Sequence, residues 1–340
     1  MPEETSNVRD NRTPTCSGGD DSRVRRLQRA PRVAVGQRAH RVCREDARPR
    51  DEHLRDYPRG AWFDQLTARN ALSGTATYPA WSHDGSSIAF SYDPDWVGGR
   101  IYLMDADGEN QRPISEGPHD WGATWSPRDD EIAFSASRMG DKRESIYVAD
   151  LNGGREIRLT GPGVFAWEPS WRQVGDVIAY SSRPDWSDSL DLHTMDGQGG
   201  NPNQLTDHRL SDTDPAWHPH QNVIAFASWD KDSRNADIYT IHSDGSRERR
   251  VTAHPSSDGE PRWSPNGAQI LFKSTRDGVY GLFIMRSDGR VIRRVMDRQF
   301  LGIQGASWSH PDVPRSVSPI GRRASTWGWF KRLGVGNRNP

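Results

Sequence analysis

One phrase recurs six times at nearly constant spacing, and it constrains the fold more than any other feature of the chain. It is centred on Trp81, Trp125, Trp171, Trp217, Trp263 and Trp308, at intervals of 44, 46, 46, 46 and 45 residues. Nine residues after each of the first five stands an aromatic that closes a short apolar run: Phe90, Phe134, Tyr180, Phe226 and Phe272. A third run follows at 101–104, 146–148, 192–195, 238–241 and 282–285. Then comes a turn dipeptide: Asp107-Gly108, Asn152-Gly153, Asp196-Gly197, Asp244-Gly245 or Asp288-Gly289. A fourth short run, such as Leu159-Thr160 or Leu205-Thr206, ends the unit.

Short β-rich runs separated by Asp-Gly and Asn-Gly predict four antiparallel strands per unit. The turns are expected to be type I′, whose central residues need φ > 0. Asp84-Gly85 and Asn266-Gly267 mark the turn between the first and second strands. One such sheet of about 45 residues cannot bury both of its faces, whereas radial stacking of several buries them and leaves only short edges. The expected fold is therefore all-β, a six-bladed β-propeller of four-stranded antiparallel blades. The repeat Trp fills the wedge between blades, and its indole N–H can reach a backbone carbonyl. Five units are complete, and the sixth stops after Gly305 to Trp308. Gln65-Leu66-Thr67 matches Gln204-Leu205-Thr206, so 61–67 is expected to supply the outermost strand of an incomplete sixth blade.

The repeats divide the chain into 1–60, 61–312 and 313–340. The net charge of −1 hides a segregation. Residues 1–60 carry +4, with 14 Arg and no Lys, and 313–340 carry +6, which leaves −11 on the repeats. That distribution argues against a nucleic-acid partner. No apolar run is long enough for a transmembrane helix, and no signal peptide is legible in the sequence. Both cysteines, Cys16 and Cys43, precede the repeats, so neither a disulfide nor a Cys-based metal site is expected within them. Residues 1–60 are too poor in apolar residues to offset ordering entropy and are expected to be disordered. Two further readings stand for them: a basic arm for anionic partners, and a stretch ahead of the natural N-terminus. The basic segment 313–340, with Trp327, Trp329 and Phe330, is expected to be a flexible tail.

The repeat, written in full at Trp81-Ser82-His83-Asp84-Gly85 through Phe90 and at Ile101-Tyr102-Leu103-Met104-Asp105 through Gly108, resembles the WD40-like PD40 repeat of the TolB family. The resemblance covers about three-quarters of the chain. It implies a non-enzymatic propeller that binds other proteins of the cell envelope, in the periplasm or outside the cell. TolB proteins also carry an N-terminal α/β domain, and nothing in residues 1–60 looks like one. The same repeat type caps the α/β-hydrolase domain of prolyl-oligopeptidase-like peptidases. No Gly-x-Ser-x-Gly elbow of such a domain occurs here.

In a propeller the first strands line a central channel. Three residues before the repeat Trp stand Tyr78, Glu168, Asp214 and Glu260, with Gly122 and Gly305 in the other units. Five before stand Asp120, Asp212 and Asp258. If the strands are regular, both positions share a face, and six carboxylates converge at one channel mouth. Such a site suits a basic or amine-bearing peptide, or a hard cation such as Ca²⁺; a solvated acidic rim is the plain alternative. His119, beside Asp120, is the best placed residue for acid–base work. Trp121 and Trp167 read as channel walls or as packing between blades. Trp96, Trp186 and Trp229 are expected in loops after the second strand, as an exposed aromatic patch. His218 and His220 are expected on the surface. The sequence thus points to a monomeric, non-catalytic module for a protein or peptide partner. A channel-site enzyme of carbohydrate or peptide metabolism is the alternative.

Overall fold

A computed structural model describes residues 32–36, 74–94, 98–138, 143–152, 155–183, 189–207, 210–230, 232–290, 292–294 and 304–309. Strand β1 is Arg32–Gly36. Blade one holds β2 (Thr75–Trp81), β3 (Ser87–Asp93), β4 (Arg100–Asp105) and β5 (Arg112–Pro113). Blade two holds β6 (Asp120–Trp125), β7 (Glu131–Ala136), β8 (Ser145–Asp150) and β9 (Glu156–Arg158). Blade three holds β10 (Phe165–Trp171), β11 (Val177–Arg183), β12 (Asp191–Asp196) and β13 (Asn203–Gln204). Blade four holds β14 (Ser211–Trp217), β15 (Val223–Asp230), β16 (Asn235–His242) and β17 (Arg249–Arg250). Blade five holds β18 (Asp258–Trp263), β19 (Gln269–Ser274), β20 (Gly281–Arg286) and β21 (Arg293–Arg294), and the last strand among the described residues is β22 (Gln304–Ser309). Each blade is a four-stranded antiparallel meander in sequence order.

The expectation of six blades needs correction. Among the described residues there are five four-stranded blades, and the sixth position holds a two-stranded sheet of β22 and β1. The two strands pair antiparallel, with Val33 opposite Trp308 and Ala34 opposite Ser307. Five residues of the segment expected to be disordered are therefore a strand that ties the start of the chain to its end. The proposed outermost strand at 61–67 lies outside the described residues.

The core repeats with the sequence. In the second strands Ile88, Ile132, Ile178, Ile224 and Ile270 are fully buried, as are the aromatics Phe134, Phe226 and Phe272. The Thr of the Leu-Thr phrase has a specific task. Its hydroxyl accepts the N–H at the start of the third strand: Thr160 from Ile146, Thr206 from Leu192 and Thr252 from Ile238, with Ser115 doing the same for Ile101. All four bonds are buried, where an unmade one would be costly. The turns between third and fourth strands differ from type I′. Gly108, Gly199, Gly245 and Gly289 each donate N–H to the carbonyl three residues earlier. In these turns the preceding residue, Asp107, Gln198, Asp244 or Asp288, keeps φ < 0 and the glycine takes φ of 80 to 91°. They are longer loops ending in a left-handed glycine. In blade three that glycine is Gly199 rather than Gly197.

Blades are latched in two ways, and the residue just before the repeat Trp decides which. Where it is Thr124, Ser170 or Ser307, its hydroxyl accepts the backbone N–H of the next blade's Trp, namely Trp171, Trp217 or Trp81, at 3.0 to 3.3 Å. Where it is Ala80, Ala216 or Arg262, no such hydroxyl exists. The next Trp then donates its indole N–H to that residue's carbonyl: Trp125, Trp263 and Trp308, at 3.0, 3.1 and 3.1 Å. The six interfaces of the ring divide equally between the two. At the hydroxyl interfaces the indole N–H is diverted or left over: Trp171 donates to Asp176, while those of Trp81 and Trp217 are buried without a partner. Thr124→Val keeps the shape of the side chain and removes the acceptor. We expect it to lower the free energy of unfolding by about 1 kcal/mol, read by chemical denaturation.

Candidate functional site

The first strand of every complete blade is broken by a β-bulge at the same place. Register shifts occur between Thr77 and Ala80, Trp121 and Thr124, Trp167 and Ser170, Thr213 and Ala216, and Gly259 and Arg262. The residue three before the Trp sits in each bulge with left-handed backbone: Tyr78 at φ 48°, Gly122 at 70°, Glu168 at 54°, Asp214 at 55° and Glu260 at 51°. This conformation suits glycine and is strained for the other four, by about 1 kcal/mol or more each. A bulge also re-aims side chains and ends the simple alternation along the strand. The two sets of acids, expected on one face, are for that reason separated.

Asp120, Asp212 and Asp258, five before the Trp, are buried inside the blades. Asp120 pairs with Arg138, which also binds Glu156 at 2.7 Å and lies 5.0 Å from the Tyr147 ring centre. Asp258 takes Arg276 through both oxygens, at 2.8 and 2.7 Å, and that guanidinium lies 5.2 Å from the ring centres of both Phe272 and Phe283. Asp120 and Asp258 thus tie their own blades internally, and all three acids are buried.

The bulged residues do come together. The Asp214 N–H donates to Glu168 Oε2 at 2.8 Å, across the interface between blades three and four. Glu168 in turn donates its own N–H to Ser135 Oγ of blade two at 2.8 Å. Lys273 pairs with Glu260 at 2.9 Å and lies 4.7 Å from the Tyr280 ring centre. Burial, then the charge of Asp214, holds the Glu168 carboxyl well above the usual range. Burial and Glu260 push Asp214 up to about 6, against the pull of Arg262. Burial first, then the three carboxylates, raises the Tyr78 phenol. All four side chains keep partial access to solvent.

The remaining sequence candidates fall elsewhere. His119 is exposed on the rim and packs on Gly98, where an added Cβ would come within 2.9 Å of its Nδ1. Trp229 lies within β15 rather than in a loop, and is 38% exposed. Trp96 and Trp186 lie outside the described residues. Trp121 and Trp167 are half-buried, and Trp167 packs on Phe165 with ring centres 5.3 Å apart. His218 is buried, not on the surface. Arg262 and Lys273, which temper the acidity of the channel, were not anticipated. Arg262 precedes a repeat Trp, and Lys273 follows a repeat aromatic; their positions in the repeat were the available signal. Among the described residues no three His, Cys, Asp or Glu side chains are arranged to hold a metal ion. No helix among them is long and apolar enough to cross a membrane.

Two measurements check these assignments. Arg276→Met strands a buried carboxylate and should cost about 3–5 kcal/mol of stability in chemical denaturation. Asp214 binds its proton more tightly in the folded chain than in the unfolded one. Stability contributed by that proton is full below the ordinary aspartate range and is lost as pH rises toward 6. Asp214→Asn should therefore flatten that part of a melting-temperature profile between pH 4 and 7.

The PD40 family, described as the TolB beta propeller domain, matches residues 64–234 and 213–313. No curated protein sequence matches the chain. Among solved structures, TolB from Acinetobacter baumannii is similar at a TM-score of 0.58 and 20% identity, over 73% of this chain and 66% of that one. The chain thus spans slightly less than two thirds of that protein. A nidogen/laminin complex is similar at 0.58 and 11% identity, over 70% and 86%. Oligogalacturonate lyase from Vibrio parahaemolyticus is similar at 0.50 and 15% identity, over 70% and 72%. These likenesses are likenesses of fold. With three-quarters of its length matched to the family profile, and with the repeated blades that profile describes, the chain belongs to the PD40 family of TolB β-propeller domains.

Proposed function

We propose that the chain is a non-catalytic binding module of the cell envelope, and that a protein or peptide partner places a positively charged side chain between Glu168 and Asp214. The observation that carries this reading is the pair itself. Two carboxyl groups from adjacent blades are joined through the Asp214 N–H; burial and the charge of Asp214 raise Glu168, and burial and the charge of Glu260 raise Asp214. An incoming ammonium or guanidinium relieves that repulsion, so the pair favours a cation more strongly than two exposed acids would. The left-handed backbone at both positions supports the reading, because strain of this kind tends to be kept where it serves a site. Membership of the TolB propeller family supports the envelope location and the protein-binding role.

The same pair supports a second reading. A carboxyl group whose pKa is raised by burial suits general acid catalysis, and a lyase shares the fold. Turnover of an oligogalacturonate by the isolated protein would favour this enzyme reading, and its absence favours the binding module.

The test is calorimetric titration with a Lys- and Arg-rich peptide. Binding should weaken as pH falls below about 6, because Asp214 then takes a proton that the cation must displace. Near pH 6 binding should release protons, seen as a dependence of the observed heat on the buffer. Glu168→Gln with Asp214→Asn should abolish capture. Unchanged binding by the double variant would overturn the assignment.

A further inference from the structure

The internal repeat supplies its own comparison, blade against blade, and three departures from it meet in one place. At the turn between third and fourth strands, blade one carries Asp105 and Asn110, and blade three carries Asp196 and Asn201. Both asparagines are left-handed, at φ 53 and 51°, and their amides bind the paired Asp at 2.7 and 3.0 Å. Asn tolerates this conformation well. In blade four the same two positions hold His242 and Arg247. Arg247 keeps the left-handed backbone, at φ 55°, without the asparagine's local hydrogen bond.

The third departure follows the repeat Trp. Ser82, Ser126 and Ser264 are buried there, and their hydroxyls close the turn between the first two strands. Blade four has His218 instead. Its Nδ1 accepts the N–H groups of His220 and Gln221, both at 3.1 Å, and its ring meets Trp263 edge-on at 4.6 Å. The neighbouring blade makes room with Gly267, where a Cβ would approach His218 Nε2 to 2.3 Å. Burial pushes His218 below the usual histidine range.

His218, His242, Arg247, Arg249, Trp263 and Gly267 line one pocket of about 390 Å³ between blades four and five, beyond the Trp end of their first strands. Among the described residues no carboxylate lines it. Among the described residues Arg247 has no ion-pair partner, and Arg249 reaches only the Ser287 carbonyl, at 3.3 Å. An acid-free, doubly cationic pocket stands out on a propeller whose sequence is strongly acidic. Guanidinium groups match the geometry of carboxylate and phosphate oxygens, and the volume is that of a small-ligand site.

We propose that this pocket is a second binding site, separate from the channel, for a small organic oxyanion. Its carboxylate or phosphate group binds Arg247 and Arg249, and its body rests on Trp263.

The experiment is isothermal titration of the full chain with inorganic phosphate and, separately, with citrate. Saturable binding of either is expected, and the one that binds identifies the oxyanion. Arg247→Asn installs the residue with which blades one and three already fold, so its melting temperature should match or exceed that of the parent. The same variant should weaken anion binding at least about tenfold. Two results would overturn the proposal: no saturable binding of either anion, or equal affinity in the folded Arg247→Asn variant.

Discussion

The ring depends on a contact made six times, between the residue before each repeat Trp and the Trp of the following blade. The contact fixes how close neighbouring first strands come, and so sets the width of the channel they line. Its two forms are chemically different. A hydroxyl draws the backbone N–H of the next Trp, and an alanine or arginine leaves its carbonyl to the indole. Burial of the indole wedge is common to both, which explains how the repeat tolerates Thr, Ser, Ala or Arg at one position. Geometry is preserved while the donor changes.

The bulge three residues before the Trp is the second constraint, and it decides the chemistry of the channel. A regular strand would have displayed six carboxylates together. The bulge turns one set inward to Arg138 and Arg276 and leaves Glu168, Asp214 and Glu260 to face Arg262 and Lys273. The channel is consequently less a negative funnel than a place where carboxyl groups are kept uneasy by crowding. In the proposed binding role, selectivity would come from where the protons sit more than from a surplus of charge.

Much of this was legible in the sequence. Trp81 through Trp308 marked the blades, and the Gly-containing turns marked the hairpins. The Leu-Thr phrase marked the fourth strands, although its hydroxyl task had to be seen. What escaped reading has physical causes. A bulge leaves no compositional trace when Tyr, Glu and Asp occupy its left-handed residue in place of glycine. Strand β1 lies in a segment whose composition argues against order, because its pairing with β22 rests on a partner about 270 residues away. His218 read as a surface residue because its neighbours Pro219 and His220 are turn-like. Its burial follows from the glycine at 267, in the next repeat. Pairwise facts of this kind, between one blade and its neighbour, are what a linear reading of one repeat at a time does not contain.

The pairing of β1 with β22 also orders events in time. Five blades are local meanders, and the strand pairing within each needs only its own 45 residues or so. The sixth position differs. Arg32–Gly36 is made early and has no antiparallel partner until Gln304–Ser309 is made late. Until then the first blade and the fifth each present an uncovered flank. The growing chain is therefore an open arc through most of its synthesis, and β22 converts that arc into a closed ring.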